Sequence, residues 1–77
     1  MEEVTELFEK YAPIMCIYEN DTEYICIPQV EKGGEPLTVF YDKRLNRYNE
    51  LYWYQYSPIE DIQMSKLIYG KPLNIAD

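Results

Sequence analysis

Hydrophobic residues recur along this chain with two different periods, and each change of period marks a new element. From Glu2 to Tyr11 the apolar positions are Val4, Leu7, Phe8 and Tyr11, spaced i, i+3, i+4, i+7. That spacing lays one apolar stripe along a helix. Glu2, Glu6 and Glu9 form the opposite face, and the first two also suit the positive N-terminal end of the helix dipole. Pro13 ends the segment.

The period then shortens. Ile14 to Tyr18 and Tyr24 to Pro28 read as two strands joined by Glu-Asn-Asp-Thr-Glu, a cluster of turn formers. With Asn20-Asp21-Thr22 as the loop, Cys16 faces Cys26, Ile17 faces Ile25 and Tyr18 faces Tyr24. Glu19 then opposes Glu23 beside Asp21, a like-charge cluster at the hairpin tip. A two-residue Asn-Asp loop shifts this register by one. Val30 to Pro36, with Gly33-Gly34, is a loop, and Leu37 to Tyr41 alternates as a third strand. Asp42 to Asn46 is polar and turn-like. It leads into Tyr48–Tyr56, which holds four of the nine tyrosines and the single tryptophan.

As a strand, that last stretch puts Leu51 and Trp53 on one face and Tyr48, Tyr52, Tyr54 and Tyr56 on the other. Leu45, Tyr48, Tyr52 and Tyr56 also fit helical spacing, with Asp42 as N-cap, but aromatic enrichment favours the strand. Ser57-Pro58-Ile59-Glu60 has the form of a capping box with proline at the first helical position. It predicts a helix from Pro58 to Tyr69, stopped by Gly70. Its apolar residues fall on two faces, Ile59, Ile62, Leu67 and Tyr69 against Met64 and Ile68. Leu73 to Asp77 reads as a short edge strand or a loose tail.

The predicted fold class is therefore α+β, in the order α-β-β-β-β-α. A four-stranded antiparallel sheet of two hairpins is flanked by an N-terminal and a C-terminal helix, both on one face. The other face is partly open. With Leu51 and Trp53 toward the helices, parity turns the tyrosines outward. Seventy-seven residues make a single domain, 1–77. A chain this short buries only roughly 60–65% of the surface its unfolded form exposes. Aromatics at 16% and hydrophobic residues at 47% exclude a disordered chain.

Charge changes the picture more than composition does. The formal net charge is −7, and its distribution is lopsided. Residues 1–35 hold nine acids against Lys10 and Lys32, while residues 36–77 hold five acids and five bases. The first segment thus carries the whole excess. Such a balance opposes direct nucleic-acid binding and docking on an anionic membrane. It suits a surface that meets a cationic protein, although charge of this size also serves plain solubility.

Motifs for chemistry are scarce. With no histidine, Cys16 and Cys26 lack the usual activating base, and their apolar flanks suit small buried hydrophobes. Two cysteines are too few for a structural zinc site. A disulfide between them is possible in the facing register, but a cytoplasmic chain keeps its thiols reduced. Met-Glu-Glu-Val opens no signal peptide, and no apolar run approaches the ~20 residues of a membrane span. The expected compartment is the cytoplasm, or a host's cytoplasm for a phage-encoded chain. Gly33-Gly34 lacks the Gly-Lys-Ser/Thr of a phosphate loop. The Asn20–Glu23 turn lacks the ligand periodicity of a calcium loop. Glu60 and Asp61 are neighbours on a helix and point apart, and Glu60 is accounted for by the cap. Lys43, Arg44 and Arg47 cap the second hairpin and offset nearby acids.

The expected function is a non-catalytic, cofactor-free, protein-binding inhibitor. Glu2, Glu6, Glu9, Glu19, Asp21 and Glu23 would steer it to a basic partner, a nuclease or another nucleic-acid-binding protein. Tyr48, Tyr52, Tyr54 and Tyr56 would supply contact area. In size and charge the chain resembles phage-encoded inhibitors of host nucleases, including anti-CRISPR proteins, and the immunity proteins of nuclease toxins. That resemblance is one of type, covers no motif and transfers no residues. The alternative is a self-associating structural or accessory protein that forms a homodimer through its tyrosine face.

Overall fold

The computed structural model describes residues 2–29, 37–52 and 58–73. The chain runs α1 (Glu2–Tyr11), β1 (Ile14–Glu19), β2 (Glu23–Pro28), β3 (Leu37–Asp42), β4 (Arg47–Tyr52), α2 (Ile59–Gln63) and β5 (Lys66–Gly70). The strands form one antiparallel sheet of five in the order β4-β3-β2-β1-β5. The α+β class, the N-terminal helix and the antiparallel sheet stand as expected; the count of four strands and the register of the first hairpin do not.

The fifth strand comes from the second half of the predicted C-terminal helix. That helix is cut to five residues, Ile59–Gln63. Ser65 closes it by donating its hydroxyl to the Asp61 carbonyl at 2.6 Å. Ser57 of the predicted capping box lies outside the described residues, and Pro58 takes the cap position itself. Beyond the helix, Lys66–Gly70 pairs with the outer edge of β1, with Tyr18 opposite Leu67 and Ile17 opposite Tyr69. A ladder of backbone hydrogen bonds along that edge outweighs the few intrahelical bonds that continuing the helix would add. Apolar residues divided between two faces, as on this segment, suit a strand that packs on both sides of a sheet. Gly70, read from sequence as a helix stop, has φ +80°, and a Cβ there would lie 2.0 Å from the Met15 carbonyl oxygen. Only glycine fits that approach of one strand to another.

The first hairpin is tighter than the three-residue loop. The Asn20 amide donates to the Glu23 carbonyl at 3.0 Å. Its side-chain oxygen accepts from the Thr22 and Glu23 amides, at 2.9 and 2.8 Å. Asp21 and Thr22 are left as the tip, an Asx-type turn. The register shifts by one accordingly, pairing Ile17 with Cys26 and Cys16 with Ile27. Cys16 and Cys26 therefore sit on opposite faces of the sheet, both as free thiols, and do not oppose each other. The second hairpin is as predicted. Asp42 pairs with Arg47, and the Asp42 carboxylate accepts from the Arg44 and Leu45 amides at 2.9 and 3.1 Å. Residues 47–52 are strand, not helix.

The helices lie on opposite faces, correcting the placement of both on one. Beneath α1, Leu7 packs with Ile14, Ile17, Tyr24, Cys26, Val39 and Tyr41. Beneath α2, Ile62 packs with Cys16, Tyr18, Ile25, Ile27 and Phe40. The reason is visible in β2, where Tyr24, Ile25, Cys26 and Ile27 are all buried in succession. A strand apolar on both sides needs cover on both sides.

Candidate functional site

Helix α1 carries its acids where the stripe demanded. Glu2, Glu6 and Glu9 are exposed along the side opposite Val4, Leu7, Phe8 and Tyr11. One of them is already engaged. The Tyr48 hydroxyl donates to the Glu6 carboxylate at 3.0 Å, and the Tyr11 hydroxyl donates to that of Glu50 on β4. Lys10 bridges the same flank, its ammonium 4.8 Å from the Tyr48 ring centre and 5.4 Å from that of Tyr11. These are distances at which a cation is attracted to an aromatic face.

Tyr48 is consequently not part of an outward tyrosine face. It is half-buried on the α1 side of the sheet, edge-to-face with Tyr41 at 4.8 Å and with Tyr11 at 5.8 Å. Burial first, and then the hydrogen bond to Glu6, raises its hydroxyl pKa well above the ordinary tyrosine range. Tyr11 is raised for the same reasons, with Glu50 in place of Glu6. Tyr52 is placed by backbone register opposite Leu37. The side chains of Leu51 and Tyr52, and the whole of Trp53, Tyr54 and Tyr56, lie outside the described residues.

The hairpin tip separates its three carboxylates. Glu19 turns to the α1 side, where Lys43 donates to it at 2.7 Å and to the Asn20 carbonyl at 2.8 Å. The same ammonium sits 4.5 Å from the Tyr24 ring centre. The hydrogen bond from Lys43 holds the Glu19 carboxyl below its usual pKa. Asp21 is exposed at the tip itself. Glu23 points to the α2 side, as the alternation of β2 requires, and stands directly opposite Asp42 of β3. Burial raises its pKa, a hydrogen bond from Asn20 partly offsets the rise, and the charges of Asp61 and Asp42 add to it.

The structure thus brings Glu2, Glu6 and Glu9 together on one helix side and splits Glu19 from Glu23 across the sheet. Sequence reasoning missed Glu50, Asp42 and Asp61 as participants. Glu50 was readable: in Tyr48-Asn49-Glu50 the tyrosine and glutamate share a strand face, so both meet α1. Asp42 and Asp61 were not, since their meeting with Glu23 needs the true register and the far-side helix. Lys43 does offset a nearby acid, as its place in the second hairpin suggested.

Burial pushes the Cys16 thiol up to about 11 and the Cys26 thiol up to about 12, so both are protonated at neutral pH. The two thiols therefore add no charge to either face at neutral pH. Among the described residues no group of three or more His, Cys, Asp or Glu is placed to hold a metal ion. None of the described helices is long and apolar enough to cross a membrane. No protein-family model, curated protein or solved structure matches the chain.

Proposed function

We propose that this protein is a non-catalytic inhibitor that binds a basic, nucleic-acid-handling protein through the carboxylates of α1 and of the first hairpin tip. The observation that carries the reading is the exposed row Glu2, Glu6, Glu9 on a helix whose other side is fixed to the sheet. On an α-helix these three positions fall within about 60° of one another and span roughly 10 Å of axis. Such a row offers negative charges at short intervals on a rigid rod, as a polyanion does. A cleft built to hold phosphates would accept it in their place. Asp21 extends the negative surface, whereas Glu19 is partly neutralised by Lys43. The tyrosine contribution is narrower than the sequence suggested, because Tyr48 braces α1 from below.

The test is affinity capture from lysate at low and high salt, run in parallel with the triple variant Glu2→Lys, Glu9→Lys, Asp21→Lys. A basic nucleic-acid-binding protein should be retained at low salt, released at high salt and lost with the variant. Equal retention by both chains would remove the reading.

Self-association is the second reading, and it draws on a different place from the one expected. Met15 and Tyr69 are exposed at the β5 side of the sheet, 39% and 44% accessible. A concentration-dependent dimer in sedimentation, insensitive to salt and abolished by Tyr69→Ser, would establish it.

A further inference from the structure

The side of the sheet bounded by β5 differs in charge from the rest of the molecule. From Ile62 to Ala76 the sequence holds Lys66 and Lys71 and no acid, in a chain of net charge −7. Neither lysine is in an ion pair among the described residues. Lys66 stands opposite Glu19 on β1, but Lys43 already holds that carboxylate at 2.7 Å. Lys10 and Lys43, by contrast, lie over tyrosine rings on the α1 side.

The same margin leaves backbone and apolar side chains uncovered. β5 ends the sheet, with no described strand beyond it, and Lys66, Tyr69 and Gly70 are exposed. An edge strand presents a row of amides and carbonyls free to pair with another extended chain. The row is short, because left-handed Gly70 and then Pro72, which has no N–H, end it. On the α1 side, the exposed Tyr69 ring meets Phe8 edge-to-face at 4.7 Å. Thr5 lies one turn back on that flank of the helix. Glu6 and Lys10 lie on the other flank, over β4, where both meet Tyr48. The helix flank beside β5 thus offers Thr5 and Phe8, not the glutamates.

We propose that the outer edge of β5 is a docking site for an acidic, extended peptide segment of another protein, which adds to the sheet as a further strand with its carboxylates toward Lys66 and Lys71 and an aliphatic side chain on Tyr69. Main-chain hydrogen bonds supply the pairing, and the flanking charges and the ring supply selectivity. Lys66 and Lys71 lie roughly 17 Å apart along an extended chain, so the carboxylates belong near the two ends of the segment. Charge selects this occupant over a second copy of the chain. A second copy would lay another pair of lysines along the same ladder, where like charges oppose pairing. The site is separate from the α1 carboxylates and takes a partner of opposite charge, so it stands independently of the inhibitor reading.

Titration of the isotope-labelled full chain with the capped peptide Glu-Asp-Val-Ile-Val-Asp-Glu, followed by NMR, tests it. Shifts should centre on the amides of Lys66–Gly70 and on Met15, and β5 amide exchange should slow by about threefold or more at saturation. Affinity should fall roughly tenfold in Lys66→Glu with Lys71→Glu, and by a smaller factor in high salt. The β2–β3 ladder amides report that this variant remains folded. Tyr69→Ser should weaken binding and keep its salt dependence. A peptide with lysines in place of the acids should not bind. Nor should the fully N-methylated acidic peptide, which keeps its charge and donates no ladder bonds. Equal binding of the N-methylated form, shifts centred on Arg44 and Arg47, or no response of β5 would overturn the site. A dimer formed through β5, undisturbed by the acidic peptide, would overturn it in favour of a second copy.

Discussion

The two faces of this sheet solve the same problem with different materials. Under α1, ten residues of helix lie on a mixed surface, and the polar tips of its tyrosines are answered by carboxylates: Tyr48 by Glu6, Tyr11 by Glu50. Lys10 and Lys43 fill the remaining gaps over the rings. Under α2, five residues of helix cover an apolar floor of Cys16, Ile25, Ile27 and Phe40, while the charges at its margin oppose one another. The first face is large and electrostatically matched. The second is small and mismatched at one end. The difference teaches that charge excess in this chain is tolerated where tyrosine hydroxyls and two lysines meet it.

The contrast predicts unequal responses to mutation. The largest belongs to Leu7, fully buried at the centre of the α1 contact. Leu7→Ala should cost about 2–5 kcal/mol in urea denaturation, and the loss should exceed that of Ile62→Ala on the other face. Equal losses would mean that the helices contribute alike and would break the comparison. Next comes Gly70→Ala, where a left-handed φ and the Met15 carbonyl leave no room for a methyl group. A loss of about 1–3 kcal/mol should appear there, together with early exchange of the β5 amides.

Smaller effects sharpen the picture. Tyr48→Phe keeps the ring and removes the donor to Glu6, so it should lower stability by about 0.5–1.5 kcal/mol. It should also lower the titration of the remaining Tyr11 hydroxyl, which Tyr48 helps to raise. The smallest changes are the most telling, because they should differ in sign. Glu19→Gln removes the partner of Lys43 and should cost up to about 1 kcal/mol at pH 7. Glu19 has a lowered carboxyl pKa, so its contribution is present above the unfolded value of 4.5 and is lost as pH falls through the folded one. Glu23→Gln should instead stabilise at pH 7. Glu23 has a raised pKa, so its penalty is complete above the folded value and gone below 4.5. Thermal melts of both variants at pH 7 and pH 4 would show the two lines converging on the wild type from opposite sides.

Two glutamates flanking one turn, identical in sequence terms, thus differ because β1 and β2 turn them to different faces. What the sequence by itself determined follows from local period and local chemistry. Val4, Leu7, Phe8 and Tyr11 specify α1 and its buried side; Asn20 and Asp42 specify two turns; Leu37–Tyr41 and Tyr48 onward specify a hairpin. The crowding of acids into the first half of the chain is likewise legible by counting. What only the tertiary structure decided depends on partners far away in sequence. Lys66–Gly70 becomes a strand because β1 offers it an edge, against a periodicity that also fitted a helix. A single residue's difference in the first turn moves Cys26 to the face opposite Cys16, since side chains alternate with a period of two. The helices part to opposite faces because β2 is apolar on both, and that parting decides that Glu19 meets Lys43 while Glu23 lies opposite Asp42.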